Sequence, residues 1–183
     1  MENDLGSIFF PMEIAKGIRV LVLDVDGVLT DGGLYYDLQH QVMKRFNVQD
    51  GLGMKIALQN DIRIAVITGL NSQAVAKRMQ DLGIDDYYAG FQDKRGCLEE
   101  IRAKYSLNWD QIAYLGDDWV DLSVMAMVGL PMAVLNAQPE VKEIAKFITS
   151  TRGGDGAVRE VIRHILLAQG KYDAVLAAWS HPC

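Results

Sequence analysis

The sequence contains little cysteine, no long apolar run and no basic stretch, and each shortage excludes a class of protein. Two cysteines, Cys97 and Cys183, are too few and too far apart for a disulfide framework or a cysteine metal cluster. Half of the 183 residues are hydrophobic, but no run approaches the roughly 18 apolar residues of a membrane-spanning helix. A net charge of −6 without a basic segment argues against nucleic acid as the main partner. An anionic substrate would therefore require locally placed cations and a metal ion.

The first residues lack the marks of a secretory signal. Residues 1–17 open with acidic side chains and contain neither a basic start nor a small-residue cleavage site. We therefore predict a cytoplasmic protein without a membrane segment. The length, with no repeats, low-complexity tracts or linkers, favours one domain over residues 1–183 that ends in a helix-like tail at about 170–183.

The most informative segment is IRVLVLDVDGVLTDG, residues 18–32, in which an apolar strand leads directly into two acids. These are Asp24 and Asp26, and Gly27 follows them. A fully apolar run indicates a strand covered on both faces, and in an open α/β sheet ligands bind where such strands end. Asp-Gly pairs are also ordinary turn formers, so on these residues alone a turn with one solvated acid explains the pair equally well.

Along the chain, apolar strand-like runs alternate with helical patterns, which is typical of βαβ units and a parallel sheet. In one such pattern Val75, Met79 and Leu82 share a helix face, and Gly83 ends the helix. The predicted fold class is α/β, a three-layer, Rossmann-like, doubly wound parallel sheet. The predicted strands are 18–24, 62–67, 86–89, 112–115, 131–135 and 147–149, and the predicted helices are 71–82, 94–105, 119–128, 139–145 and 156–169.

The stretch 31–49 departs from this alternation. Two short runs, 33–37 and 41–48, flank a polar connection at residues 38–40, which predicts a small β-hairpin flap projecting beyond the sheet. Its aromatic residues are interpreted as packing within the hairpin, with lining a pocket as the alternative; they are Tyr35, Tyr36 and Phe46.

Three further segments follow predicted strands in chain order: VITGL at 66–70, QDK at 92–94 and YLGDDWVDLSVM at 114–125. Together with the acids of the first strand, they resemble the haloacid dehalogenase-type phosphohydrolases, in order and spacing, over about the whole chain. The resemblance implies phosphate-ester hydrolysis through an aspartyl-phosphate, with Asp24 as nucleophile and Asp26 as general acid/base.

The same resemblance implies the other catalytic and metal-binding groups. Thr68 matches the family's hydroxyl donor and Lys94 its lysine, although a lysine at a helix start is by itself usually solvated. Mg²⁺ would be held by the Asp24 side chain, the Asp26 backbone carbonyl and the Asp117 side chain. The acids that would support these ligands from behind are Asp118 and Asp121. A helix N-cap is the alternative interpretation of the adjacent acids at 117 and 118.

Larger relatives in this superfamily insert a cap domain that closes the active site, whereas this chain has room only for the hairpin flap at 31–49. The resemblance therefore implies a member with no cap domain. Such an enzyme must exclude water by another route, and a neighbouring subunit is the expected one.

Segments outside the superfamily motifs resemble one subfamily of these phosphohydrolases. KRFNVQDGLG at 44–53 and GGDGAVREVI at 153–162 are similar to the 3-deoxy-D-manno-octulosonate 8-phosphate phosphatases, capless tetramers that serve lipopolysaccharide synthesis. This implies a small acid sugar phosphate as substrate and a homotetramer. The implied substrate-binding residues are Asp26, Asn47, Val48, Gln49, Asp50, Gly51, Lys55, Thr68, Gly69, Arg78 and Lys94. The hairpin and the segment with Arg152 and its glycines would reach a neighbouring site; a loop before a helix starting at Ala157 is the alternative interpretation.

Two positions depart from the family pattern. Many relatives have arginine where this chain has Gln49 and Leu70, and both differences remove cations that could hold a substrate carboxylate. A nine-carbon ulosonic acid 9-phosphate is therefore an alternative substrate. A catalytically silent assembly domain is the alternative outside the enzymes, and the complete set of catalytic residue types argues against it.

Overall fold

A computed structural model describes residues 9–39 and 42–180 and shows a six-stranded sheet beside a two-stranded hairpin. The strands in chain order are β1 (Val20–Leu23), β2 (Tyr35–Tyr36), β3 (Val42–Met43), β4 (Arg63–Thr68), β5 (Asp86–Ala89), β6 (Ile112–Gly116), β7 (Leu130–Ala133) and β8 (Phe147–Ile148). The sheet order is β5-β4-β1-β6-β7-β8, and every neighbouring pair is parallel. The doubly wound α/β sheet predicted from the sequence is confirmed.

Helices cover both faces of this sheet, so its central strands are almost completely buried. The helices are α1 (Met12–Ala15), α2 (Val48–Gln59), α3 (Gln73–Leu82), α4 (Arg95–Lys104), α5 (Leu122–Met125), α6 (Pro139–Ile144), α7 (Ala157–Ala168) and α8 (Tyr172–Ser180). Contacts link α1, α2, α3, α7 and α8 into one layer and α4, α5 and α6 into the other. The apolar runs of the sequence thus form the middle of three layers.

Helix α2 is the largest departure from the predicted elements. The strand predicted over 41–48 is wrong beyond β3, because Val48 begins a helix of 12 residues. Two glycines in this segment, Gly51 and Gly53, disfavour a helix interior. Packing overrides that preference: a Cβ at Gly51 would collide with the Arg78 side chain of α3, and one at Gly53 would lie 3.0 Å from a side chain of α7. The glycines allow α2 to approach both neighbours closely.

The other predicted elements are confirmed with small shifts at their ends. Helix α3 ends at Gly83, whose φ of 71° is the left-handed conformation that a glycine stop predicts. The helix predicted over 119–128 divides into a 3₁₀ turn at Trp119–Asp121 and the short helix α5. Within the described part of the chain, no helix is long and apolar enough to cross a membrane.

Strands β2 and β3 form the predicted hairpin, with Tyr36 opposite Val42. An antiparallel bridge between Thr30 and Phe46 closes its base, next to the end of β1. Residue 40 of the predicted connection and residue 41 of the second predicted run lie outside the described residues. In the part of this interval that the structure describes, the hairpin stands alone and no cap domain is present.

The N-terminus of α7 is capped by a side chain from another helix. Its N-cap residue, Gly156, has a φ of 110° and no side chain that could accept a hydrogen bond. Asp50 of α2 takes this place: its Oδ1 accepts from the Arg159 N–H at 2.7 Å, and the residue is 1% exposed. A carboxylate is favoured there by hydrogen bonding and by the helix dipole. Asp50 is therefore turned into the protein as a cap for α7, and the substrate contact that the resemblance implied for it stays a prediction.

Replacing Asp50 by alanine is expected to lower the free energy of unfolding by about 1–2 kcal/mol, because α7 loses its cap. The steady-state KM reports separately whether Asp50 also contacts the substrate. Urea denaturation and initial-rate kinetics measure the two quantities. Asp81→Ala, at an exposed pair with Lys77, is the matched control and should cost less than about 0.5 kcal/mol. A loss in Asp50→Ala no larger than in this control would contradict the capping role.

Candidate active site

The predicted catalytic residues meet at the carboxyl edge of the sheet. Asp24 directly follows β1, Thr68 is the last residue of β4, and Asp117 directly follows β6. The chain runs from β1 through β4 to β5 and then returns to β6 on the other side of β1. This reversal of strand order opens a crevice at the ends of these strands, where doubly wound folds bind ligands.

A buried lysine links two of the acids. Lys94, which precedes α4, is 1% exposed, and its Nζ lies 2.6 Å from Asp24 Oδ1 and 2.8 Å from Asp121 Oδ1. Burial alone would lower the pKa of Lys94, but the two carboxylates raise it above its ordinary value. Lysines are rarely buried so completely unless they are paired. The ammonium is therefore a fixed positive charge inside the site.

Asp121 holds the loop after β6 in place. Its Oδ1 accepts a hydrogen bond from the Tyr114 hydroxyl at 2.7 Å, and its Oδ2 accepts one from the Asp117 N–H at 2.9 Å. The neighbouring Asp118 accepts from the Trp119 N–H at 2.7 Å and so caps the turn, as the alternative interpretation stated. The two adjacent acids therefore differ, because Asp117 faces the other carboxylates of the site.

Three carboxylates in this crevice fit a bound cation. One oxygen from each of Asp24, Asp117 and Asp121 lies within 4.8 Å of the others. Burial, with the neighbouring acids, raises the pKa of Asp24 to about 6 and that of Asp117 to about 8. Among the residues that the structure describes, the buried Asp117 Oδ1 finds no hydrogen-bond partner. The site therefore has negative charge that is not compensated and a hard oxygen atom that is free to bind a metal ion. Both properties suit Mg²⁺.

Gly27 allows the loop after β1 to approach these carboxylates. Its φ of 93° favours glycine, and a Cβ at this position would collide with the Asp117 carboxylate. Both oxygens of Asp121 are already hydrogen-bonded, to Lys94 and to backbone N–H groups among others. The side chains that remain for a metal ion are those of Asp24 and Asp117, the pair that the resemblance implied.

Asp26 has a partner that the sequence analysis missed. Lys44, directly after β3, forms an ion pair with Asp26 Oδ1, although the two residues are 18 positions apart. The Lys44 side chain is 2% exposed and that of Asp26 is 31% exposed. Lysines are mostly solvated, so a lysine beside a hairpin strand carries no sequence signal of burial. Only the position of the hairpin over the end of β1 brings the two side chains together.

The residues implied in sugar binding lie around the start of α2. Asn47 caps this helix by accepting from the Gln49 N–H at 2.7 Å, and Arg78 of α3 donates to the Asn47 carbonyl oxygen at 3.3 Å. Gly51 is buried beneath the same arginine. The exposed members of the group are Val48, Gln49 and Lys55. These contacts form a second cluster, separate from the Asp24 and Lys94 ion pair.

An open cavity of about 960 Å³ lies between the hairpin and the start of α3. Tyr36 and Lys44 line its hairpin wall, and residues 70–74 line the opposite wall. Small-molecule sites commonly have this volume. Thr68 lies beside the second wall, since its Oγ1 accepts from the Leu70 N–H at 3.3 Å across the half-buried Gly69. Tyr36 thus lines a cavity, as the alternative interpretation stated, and also pairs within the hairpin.

The glycine-rich segment before α7 packs on the loop after β1 of the same chain. Gly154 donates from its N–H to the Val28 carbonyl oxygen at 2.9 Å, and Gly153 donates to Asn136 Oδ1 at 2.7 Å. A Cβ at Gly153 would collide with the Gly27 carbonyl oxygen. The segment is a loop that leads into α7, as the alternative interpretation stated. Gly153 and Gly154 are required by close backbone packing against the loop after β1.

Comparisons with known proteins agree with this fold and site. The family model for haloacid dehalogenase-like hydrolases matches residues 88–162. A 3-deoxy-D-manno-octulosonate 8-phosphate phosphatase from Escherichia coli (strain B / BL21-DE3) is 44% identical over 162 residues, which are 88% of this chain and 86% of that protein. The class defined by the crevice and its acids is thus a haloacid dehalogenase-like phosphatase.

Solved structures that resemble this chain belong to the same class and include named phosphatases. The 3-deoxy-D-manno-octulosonate 8-phosphate phosphatase from Yersinia pestis is 42% identical, with a TM-score of 0.87 over 88% of each chain. The enzyme of that name from Moraxella catarrhalis, in complex with magnesium, phosphate and KDO, is 38% identical, with a TM-score of 0.89 over 92% of this chain and 97% of that one. The present chain belongs to this phosphatase family.

Magnesium is expected to raise the thermal stability of the wild-type protein, by about 2.7 kcal/mol at 100 times its dissociation constant. Asp117→Asn should lose this gain. Without metal, the same variant should be at least as stable as the wild type, because one of the crowded carboxylates is gone. Thermal unfolding with Mg²⁺ and with a chelator measures both effects, and Asp81→Asn is the surface control. Equal stabilisation of Asp117→Asn and wild type by Mg²⁺ would contradict the metal assignment.

Proposed function

We propose that the protein hydrolyses 3-deoxy-D-manno-octulosonate 8-phosphate to the free sugar acid and phosphate, a reaction of lipopolysaccharide biosynthesis. One observation carries the proposal most directly: a buried lysine is bound to the acid at the end of β1, and Asp117 after β6 has a buried carboxylate oxygen, Oδ1, without a hydrogen-bond partner among the described residues. A nucleophile, a phosphate-binding cation and a metal site are what phosphoryl transfer requires. The names of the relatives in Escherichia coli, Yersinia pestis and Moraxella catarrhalis support the substrate.

In the first step, the Asp24 carboxylate attacks phosphorus and the bond from phosphorus to the sugar oxygen breaks. Asp26 donates a proton to that oxygen, and Asp24 carries the phosphoryl group. In the second step, water attacks this aspartyl-phosphate while Asp26 takes the proton of the water. Phosphate leaves and the Asp24 carboxylate is restored. Lys94 orients Asp24 throughout, and Thr68 is the hydroxyl donor to the transferring group.

A carboxylate facing a phosphate dianion is repelled unless positive charge lies between them. Mg²⁺, when bound, supplies that charge, and we assign its protein ligands to the Asp24 and Asp117 side chains and the Asp26 backbone carbonyl. The single positive charge of Lys94 does not neutralise all the acids around it, so net negative charge remains in the site. The metal therefore complements the lysine.

The sugar is proposed to occupy the cavity between the hairpin and α3. From there it would extend to groups around the start of α2, which do not themselves line the cavity. These groups are Asn47, Val48, Gln49, Asp50, Gly51, Lys55 and Arg78, with Gly69 at the phosphate end. Leu70 lines this cavity and is 50% exposed, where a cation would have been expected from the family pattern. This favours a nine-carbon ulosonic acid 9-phosphate as the second candidate substrate.

We further propose a cytoplasmic homotetramer in which residues 1–183 form one phosphatase domain. The hairpin presents exposed apolar side chains beside the crevice, including Leu38, 93% exposed, and Tyr36, 61% exposed. Arg152 is also exposed, next to the glycine-rich segment. Apolar surface of this kind supports coverage of the site by a neighbouring subunit, which would exclude water in the absence of a cap.

With Mg²⁺ present, kcat/KM for 3-deoxy-D-manno-octulosonate 8-phosphate is expected to exceed that for p-nitrophenyl phosphate by about 10²-fold or more, because polar contacts to a sugar discriminate strongly. Phosphate release from both esters and from a nine-carbon acid sugar 9-phosphate measures this. A preference for the nine-carbon ester would establish the second candidate. Equal, slow hydrolysis of all three would refute both substrates while leaving the phosphatase chemistry in place.

Asp26→Asn is expected to slow hydrolysis of the aspartyl-phosphate by about 10²–10⁴-fold, because the base that activates water is lost. The substrate for this test is p-nitrophenyl phosphate with a radiolabelled phosphoryl group, because its leaving group needs no proton. Acid quenching should then leave the labelled phosphoryl group bound to the protein. Asp24→Asn is the paired variant and should trap none. Label retained in Asp24→Asn would place the nucleophile elsewhere.

A further inference from the structure

Each acid of the catalytic pair is bound by its own lysine. Lys94 holds Asp24, and Lys44 holds Asp26 through Oδ1. Both lysine side chains are almost completely buried, at 1% and 2% exposure. A buried ammonium whose carboxylate partner is removed is left uncompensated, so such a pair is costly to break. The two pairs therefore fix two different carboxylates, one of which is assigned to attack and the other to proton transfer.

The Lys44 side chain is placed by the base of the hairpin. It directly follows β3, and two residues later Phe46 forms the antiparallel bridge with Thr30. The next residue, Arg45, lies 2.8 Å from Asp155 of the glycine-rich segment. The backbone on both sides of Lys44 is thus tied down. The backbone at Asp26 departs from helical geometry, with ψ of 110°, and leads into the left-handed Gly27. A fixed lysine consequently acts on a carboxylate that extends from an irregular loop.

Lys44 also faces the space assigned to the leaving group. It lines the cavity between the hairpin and α3 together with Tyr36 and Leu70. Of the described residues that line this cavity, Lys44 alone carries a charge. Lys44 therefore meets both the cavity assigned to the sugar and the Asp26 carboxylate assigned to proton transfer.

We propose that Lys44 is a positioning residue that orients Asp26 for proton transfer to the leaving sugar oxygen. The proposal rests on the roles assigned to Asp24 and Asp26 under the proposed function. It makes the hairpin a part of the catalytic apparatus of its own chain, because the hairpin carries the lysine that holds the acid/base. Misplacing a catalytic group by about 1 Å can cost 10²-fold in rate, so this orientation matters.

The test compares two esters in Lys44→Met. For the sugar phosphate that the wild type hydrolyses best, whose alkoxide leaving group needs a proton, kcat/KM is expected to fall about 10²-fold. For p-nitrophenyl phosphate, whose leaving group needs none, kcat/KM should change little. Lys44→Arg should restore much of the lost activity. Lys77→Met, at an exposed lysine–aspartate pair on α3, is the matched control and should leave both rates unchanged.

Equal losses on the two esters would overturn the proposal and assign Lys44 a structural role; no loss on either would overturn it as well. Thermal unfolding with and without Mg²⁺ verifies that Lys44→Met is folded. In an Asp26→Asn background, Lys44→Met should add no further loss on the sugar phosphate, since the two residues act as a unit. Because the best sugar phosphate is chosen by assay, a wrong substrate assignment would not alter this outcome.

Discussion

The structure of the site depends on one buried ammonium. Lys94 is enclosed between Asp24, at the end of β1, and Asp121, after β6, and so ties together the two strands at the centre of the crevice. Three like charges in a dry pocket would otherwise repel one another, as the raised pKa values of Asp24 and Asp117 indicate. The lysine offsets part of this repulsion, and the remainder makes the pocket a site for a divalent cation.

The backbone around this charge cluster is packed so closely that side chains are excluded at several points. Gly27 brings the catalytic loop against Asp117, and Gly153 lies against the Gly27 carbonyl oxygen from the opposite side. Asn136 joins the two, because it accepts from the Gly153 N–H at 2.7 Å and donates to the Gly27 carbonyl oxygen at 3.4 Å. A segment near the end of the chain therefore supports a loop near its beginning.

Local patterns predicted most of the sheet, because its strands are buried on both faces and read as apolar runs. They failed at α2, where Val48 begins a helix although glycines follow at 51 and 53. The preference of these residues was overridden by packing against α3 and α7. The cap that Asp50 provides for α7 was not predicted either. A sequence does not show that a carboxylate on one helix will cap another helix more than a hundred residues away.

The sequence by itself determined the fold class, the strand ends and the residue types of a phosphoryl-transfer site, because apolar periodicity and the order of short motifs are local properties. The tertiary structure decided which charges are paired. It buried Lys94 between two acids and brought Lys44 to Asp26. It also made Asp118 a cap, while Asp117 Oδ1 has no hydrogen-bond partner among the described residues. Pairing and burial depend on how segments distant in sequence pack together. They determine where each polar side chain lies in the site and which group it contacts.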